Sequence, residues 1–158
     1  MPDFSIRLAD WTHERARLAQ VRRTVFIDEQ GVPEAMEWDA GDAVSLHLLA
    51  LDGADQPIGC ARLLPDGHIG RMAVLPAWRG RGVGRALLDA AIHAARARGH
   101  TMLRLSAQTH AVAFYAREGF VAVGDEYEEA GIAHVAMQKS LARIEPKRQR
   151  PVSPGGTD

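Results

Sequence analysis

Met72-Ala73-Val74-Leu75-Pro76-Ala77-Trp78-Arg79-Gly80-Arg81-Gly82-Val83-Gly84-Arg85 is the stretch on which the reading of this chain turns. An apolar run stops at Pro76, glycines follow at positions 80, 82 and 84, and a helical pattern starts at Val83. Glycine lets neighbouring peptide N–H groups turn towards one point, and the unpaired N–H groups of a new helix add partial positive charge there. An anion of phosphate type is the expected guest. Two other phosphate loops fail on this stretch. Walker A needs Gly-Lys-Ser/Thr where Gly84-Arg85-Ala86 stands, and the dinucleotide fingerprint needs glycine where Leu87 stands.

Working outward, Val83 to Arg98 is amphipathic at the helical period, with Val83, Leu87, Leu88, Ala91, Ile92 and Ala95 on one face and Arg85, Asp89, His93 and Arg96 on the other. Gly99 stands where a helix C-terminus expects it. The apolar run from Met102 to Ala107 then completes a strand-helix-strand unit with His68 to Leu75, and parallel pairing is expected. Upstream, Ser45 to Leu51 and Pro57 to Leu64 form a hairpin around Asp52-Gly53-Ala54-Asp55, and Pro65-Asp66-Gly67 turns the chain into the strand at His68. Phe4 to Leu8 alternates as a first strand. Thr12 is the expected cap of a helix whose buried stripe is Leu18, Val21 and Val25, ending near Ile27. Asp28 to Val44 reads as loop with room for one short helical turn; Ala111 to Arg117 is a short helix, and Phe120 to Tyr127 and Ala133 to Lys139 are the last strands.

At 158 residues, 46% apolar and 25% charged with net charge −1, the chain fits one globular domain, and nothing in its charge calls for nucleic acid. Residues 1–141 are assigned to that domain and residues 142–158, rich in Arg, Lys, Pro and Gly, to a disordered tail. The lone cysteine, Cys60, lies in an apolar run and supports neither a disulfide framework nor a cysteine metal site; no metal is expected. Met1 to Ser5 lacks the features of a secretory signal and no apolar run has membrane-spanning length, so a cytoplasmic protein without a membrane partner is expected.

The run Val74-Leu75-Pro76-x-x-Arg79-Gly80-x-Gly82-x-Gly84 resembles the pyrophosphate motif of the GNAT superfamily of N-acetyltransferases, and Ala113-Phe114-Tyr115-Ala116-Arg117-Glu118-Gly119-Phe120 resembles its Tyr-x-x-x-Gly-Phe element. Both occur in the family's order. Val25 to Gln30, Glu37 to Asp42 and Leu105 to His110 are most similar to the ElaA-like branch. The resemblance implies a single mixed α/β domain: a mostly antiparallel sheet of six to seven strands, splayed into a V and flanked by about four helices, with acetyl-CoA as co-substrate and a small-molecule or peptide amine as acceptor. Family members are often homodimers.

The same resemblance places backbone groups of Met72, Ala73 and Val74 along the pantetheine arm. It places the amides of Arg79, Gly80, Arg81, Gly82, Val83, Gly84 and Arg85 on the pyrophosphate, the Arg79 and Arg81 side chains adding charge-assisted bonds. Gln108 stands where the family often has asparagine beside pantetheine, and Phe114 lies next to Tyr115. Tyr115 matches the general acid for the departing sulfur, and the proton acceptor is left among Glu29, His134, Glu128 and a water chain. The acids Glu34, Glu37, Asp39 and Asp42 form either a rim attracting a cationic amine or a plain solvated loop. Two alternatives are carried: an acyl-homoserine-lactone-synthase-like acyltransferase, suggested by Arg23, Val25 and Phe26 followed by Trp38, Asp39 and Asp42, and a non-catalytic acetyl-CoA-binding module.

Overall fold

A computed structural model describes residues 3–141; the expected tail at 142–158 lies outside the described residues. Seven strands form one sheet in the order β1-β2-β3-β4-β5-β7-β6. They are β1 (Phe4–Ala9), β2 (Leu46–Asp52), β3 (Pro57–Leu63), β4 (His68–Val74), β5 (Met102–Gln108), β6 (Val121–Glu129) and β7 (Ile132–Ser140). All neighbours are antiparallel except β4 and β5, which are parallel, as the strand-helix-strand pattern requires. The helices are α1 (Trp11–Arg22), the single turns α2 (Glu34–Glu37) and α3 (Gly41–Val44), α4 (Val83–Ala97) and α5 (Val112–Arg117).

The central strands are buried on both faces, which is why β2 and β3 read as nearly continuous apolar runs. Along β2, Leu48 and Ala50 join the core under α4, while Leu49 and Leu51 join a second core under α1 with Leu18, Val21, Val25, Cys60 and Ala73. On α4, Leu87 and Leu88 are fully buried, and truncating either to alanine is expected to cost about 2–5 kcal/mol. The helix carries its apolar stripe where the sequence period put it.

Two details of α1 differ from the sequence reading. Asp10, not Thr12, is the N-cap: its carboxylate accepts from the Thr12 amide, leaving Thr12 inside the first turn. Nor does the helix end near Ile27. Arg23–Glu29 widens into a π-helical stretch, with the Gln30 N–H bonded five residues back to the Val25 carbonyl. This wider coil carries Glu29 and Gln30 over the end of the sheet where β4 and β5 separate.

That separation positions the site. β4 and β5 are paired only at His68↔Arg104 and Ile69↔Leu105. On the other side of β4, the register with β3 jumps from Arg62↔Gly70 to Cys60↔Ala73, so Arg71 and Met72 together oppose Ala61. An extra residue of this kind bends its strand. The result is a V-shaped gap between β4 and β5.

Candidate active site

The gap is a cleft of about 760 Å³, lined by residues of the π-helical corner, the outer half of β4, β5, α5 and the β6–β7 hairpin. Of the residues singled out from sequence, Glu29, Glu37, Met72, Ala73, Val74, Arg79, Gly84, Gln108, Phe114, Tyr115 and His134 line it. Gly80, Arg81, Gly82, Val83 and Arg85 do not: they form the loop and first helical turn at its end, and the Val83 side chain is buried in the core.

The loop has the form its glycines require. Gly80 and Gly82 have φ of 75° and 87°, the left-handed region, and the space beside each is open. Gly82 is the N-cap of α4 and carries no side-chain cap, so the first amides of this fifteen-residue helix lack a capping partner from it. That arrangement fits a diphosphate. The arginine side chains, expected on the same anion, have protein partners instead. Arg79 makes two bonds to the Glu29 carboxylate at 2.7 and 2.6 Å and a third to the Val74 carbonyl, Arg81 lies 4.5 Å over the Trp78 ring, and Arg85 approaches Glu118 at 3.4 Å. The amides are what the loop leaves available.

Tyr115, on α5, faces β4 across the cleft, and its hydroxyl donates to the Met72 sulfur at 3.7 Å. Burial pushes its phenol up to about 12, so the hydroxyl holds its proton throughout the neutral range. On the far wall, the His134 ring is bonded through Nδ1 to the Ile132 carbonyl at 2.7 Å. That carbonyl only accepts, so Nδ1 carries the hydrogen and the neutral ring keeps its lone pair on Nε2. Tyr127 stacks on the ring at 6.0 Å, and the Tyr127 hydroxyl is bonded to Ser106.

Glu29 does not stand as a free base. Hydrogen bonding to Arg79 holds its carboxyl below the usual range and occupies both oxygens. Its neighbour Gln30 accepts from Gln108 at 2.8 Å, and Gln108 is bonded in turn to His110. The corner therefore reaches both walls of the V. Glu128 lies exposed on β6 and does not line the cleft.

Half of the acidic set is buried rather than solvated. Glu37 and Asp42 are 2% exposed and paired with Arg22, itself 1% exposed, at 2.8 and 2.7 Å. Arg62 bridges Asp39 and Asp42 at 2.7 and 2.9 Å, and Arg71 joins Glu37 and Asp39. Glu34 and Asp39 keep exposed carboxylates, Glu34 paired with Arg23 at the surface and Asp39 with Arg62 and Arg71. Arg71 is the cleft residue that sequence reading missed most completely. Nothing in the run Gly70-Arg71-Met72 marks it, because its partners come from positions 36 to 39, more than thirty residues away. Among the described residues, no group of three or more His, Cys, Asp or Glu could hold a metal ion, and no helix is long and apolar enough to cross a membrane.

The splayed sheet and the glycine loop at its open end are those of an acyltransferase, and comparison with known proteins gives the family: the acetyltransferase (GNAT) domain matches residues 8–141, and the chain belongs to the GNAT acetyltransferases. Within that family it is 37% identical over 123 residues to the uncharacterized N-acetyltransferase YjcF of Bacillus subtilis, covering 75% of this chain and 87% of the relative. It is 31% identical over 132 residues to protein ElaA of Escherichia coli, covering 78% and 86%. The ElaA crystal structure superposes with a TM-score of 0.77 over 87% of this chain and 99% of ElaA, at 28% identity. An acyl-CoA N-acyltransferase from Pseudomonas aeruginosa superposes with the same score over 87% and 99%, at 34% identity. The branch read from Val25 to Gln30, Glu37 to Asp42 and Leu105 to His110 is borne out.

Proposed function

We propose that the protein transfers the acetyl group of acetyl-CoA to a primary amine of a small-molecule or peptide acceptor, with both substrates bound at once. The observation that carries this reading is the gap itself. β4 and β5 part after two paired positions, and the space between them gathers a phenol, an imidazole lone pair and, at its end, the uncapped amides of α4.

Acetyl-CoA supplies an activated thioester: a C–N bond forms, a C–S bond breaks, one proton leaves the nitrogen and one reaches the sulfur. Amides of residues 79–85 bind the diphosphate, and backbone groups of Met72 to Val74 align the pantetheine arm along β4. Among the candidate bases, His134 has the geometry for the amine proton, since its Nδ1 bond to Ile132 turns a lone pair on Nε2 to an otherwise unpartnered position. Glu29 instead ties the corner to Arg79.

Tyr115 serves the departing sulfur. With a phenol near 12 and a thiol near about 8.5, full transfer to the thiolate is uphill by about 3.5 units, or about 5 kcal/mol. Tyr115 therefore stabilises the sulfur by donating a hydrogen bond as charge develops, and the released thiolate takes a proton from solvent. The test is release of free CoA from acetyl-CoA over a panel of primary amines, with mass detection of the acetylated product. Amine-dependent release supports the reading; release absent with every amine, despite tight acetyl-CoA binding, favours the non-catalytic alternative.

A further inference from the structure

β4 leaves β5 at one residue. Arg71 has φ of 47°, left-handed backbone that a residue with a side chain seldom adopts. It lies in the bulge opposite Ala61, two residues beyond the last β4–β5 partners, Ile69 and Leu105. Such a conformation persists only where the surroundings hold it.

Here the holding group is the residue's own guanidinium. Arg71 Nε donates to the Glu37 carbonyl at 3.2 Å and lies 3.1 Å from the Glu37 carboxylate, while Nη2 reaches the carbonyls of Glu37 at 2.9 Å and Met36 at 3.4 Å and Asp39 Oδ2 at 3.2 Å. The Arg71 carbonyl, on the opposite side, accepts from Cys60 Sγ at 3.3 Å. The side chain is thus fastened to the segment before β2 and the backbone to β3. Those anchors are themselves fixed, because Arg22 grips Glu37 and Asp42, and Arg62 grips Asp39 and Asp42.

We propose that Arg71 is the positioning residue of the transfer site: its fork on the Met36 and Glu37 carbonyls sets the bulge that keeps β4 off β5 and places Met72 opposite Tyr115. Arg71 touches no reacting atom. It acts through the course of β4, along which the thioester arm lies. The inference rests on the acetyl-transfer reading of the cleft, and it predicts that loss of the fork damages cofactor binding and turnover in a protein that is still folded.

The test compares Arg71→Ala, Arg71→Lys and Asp42→Asn by thermal midpoint, acetyl-CoA affinity in calorimetry, and kcat and KM per folded molecule. Asp42 belongs to the same buried network and accepts from the Asp39 N–H at 3.4 Å, but it neither touches Arg71 nor lines the cleft. Its variant therefore loosens the network behind the fork while leaving the fork's own bonds in place. Arg71→Ala is expected to lower kcat/KM for acetyl-CoA by about tenfold or more and to weaken binding, with Arg71→Lys between it and wild type. Asp42→Asn is expected to lower the midpoint at least as far while kcat/KM stays within about threefold. Equal activity losses in Arg71→Ala and Asp42→Asn at matched midpoints would overturn the proposal, and so would Arg71→Ala at wild-type kcat/KM. If Arg71→Ala does not fold, Arg71→Gln is judged by the same criteria. If the wild type releases no CoA with any amine, the transfer reading fails on its own and calorimetry decides for Arg71: about tenfold weaker acetyl-CoA binding upholds its role in shaping the cleft, and unchanged binding refutes it.

Discussion

The Tyr115 hydroxyl and the Met72 sulfur meet across the cleft at 3.7 Å, joining α5 to the bulged part of β4. A thioether is a weak acceptor, so this bond yields readily to a better one. In the proposed reaction the thioester sulfur receives the same donor. Tyr115→Phe removes the donor and little else. It is expected to lower kcat by about 10² while leaving calorimetric acetyl-CoA affinity unchanged. Turnover equal to wild type in stopped-flow CoA release would take Tyr115 out of the chemistry.

Raised from 10.0 to about 12, the Tyr115 phenol is also a stability term. The folded state prefers the protonated form, so its contribution is complete below pH 10 and is lost as pH rises towards 12. Urea midpoints measured across that window should fall less steeply for Tyr115→Phe than for wild type. Parallel curves would contradict the buried phenol.

His134→Gln keeps a polar side chain of similar reach but has no imidazole lone pair. Turnover should fall by about 10² with the affinity for acetyl-CoA retained, because His134 sits on the β7 wall and not on the glycine loop. Unaltered kcat would return the proton to a water chain.

Buried charge makes the helical corner depend on its partners. Arg22→Met leaves Glu37 and Asp42 without the cation between them and is expected to cost about 3–5 kcal/mol in urea unfolding. Asp39 is held below the usual carboxylate range by its bond to Arg62, and Asp42, although burial pushes it up, is held below by Arg22 and Arg62. Groups with depressed values stabilise the fold above their unfolded pKa, near about 3.9, and lose that contribution as pH falls further. Acid unfolding below pH of about 4 should therefore be blunted in the double variant Asp39→Asn, Asp42→Asn, even though that variant is less stable at neutral pH.

Much of this architecture was legible in the sequence because it depends on local period and local turn chemistry. The stripe Leu87, Leu88, Ala91 and Ala95, the hairpin at Asp52 to Asp55 and the parallel return into Met102 all rest on spacing. The capping residue was misread because Asp10 and Thr12 are both good caps two positions apart, and choosing between them needs the backbone at Asp10. The π-helical corner leaves no mark in composition, since widening a turn by one residue keeps the same apolar contacts through Val21 and Val25. Most was lost where charge met burial. Glu37, Asp39 and Asp42 look solvated along the chain, and only the fold reveals that Arg22, Arg62 and Arg71 converge on them from α1, β3 and β4. Within the candidate site, Tyr115 and the glycine loop carry motifs, whereas Arg71 and Gln30 act through partners that no spacing rule connects.

Everything proposed for catalysis presupposes that the amides around Gly82 hold the diphosphate of acetyl-CoA. The direct measurement is a ¹⁵N amide titration of the full chain with acetyl-CoA, repeated on Gly82→Glu. The account predicts saturable shifts of the Gly80, Gly82 and Gly84 amides in the wild type and none in the folded variant, whose carboxylate would repel the diphosphate; binding that leaves those three wild-type resonances in place would contradict it.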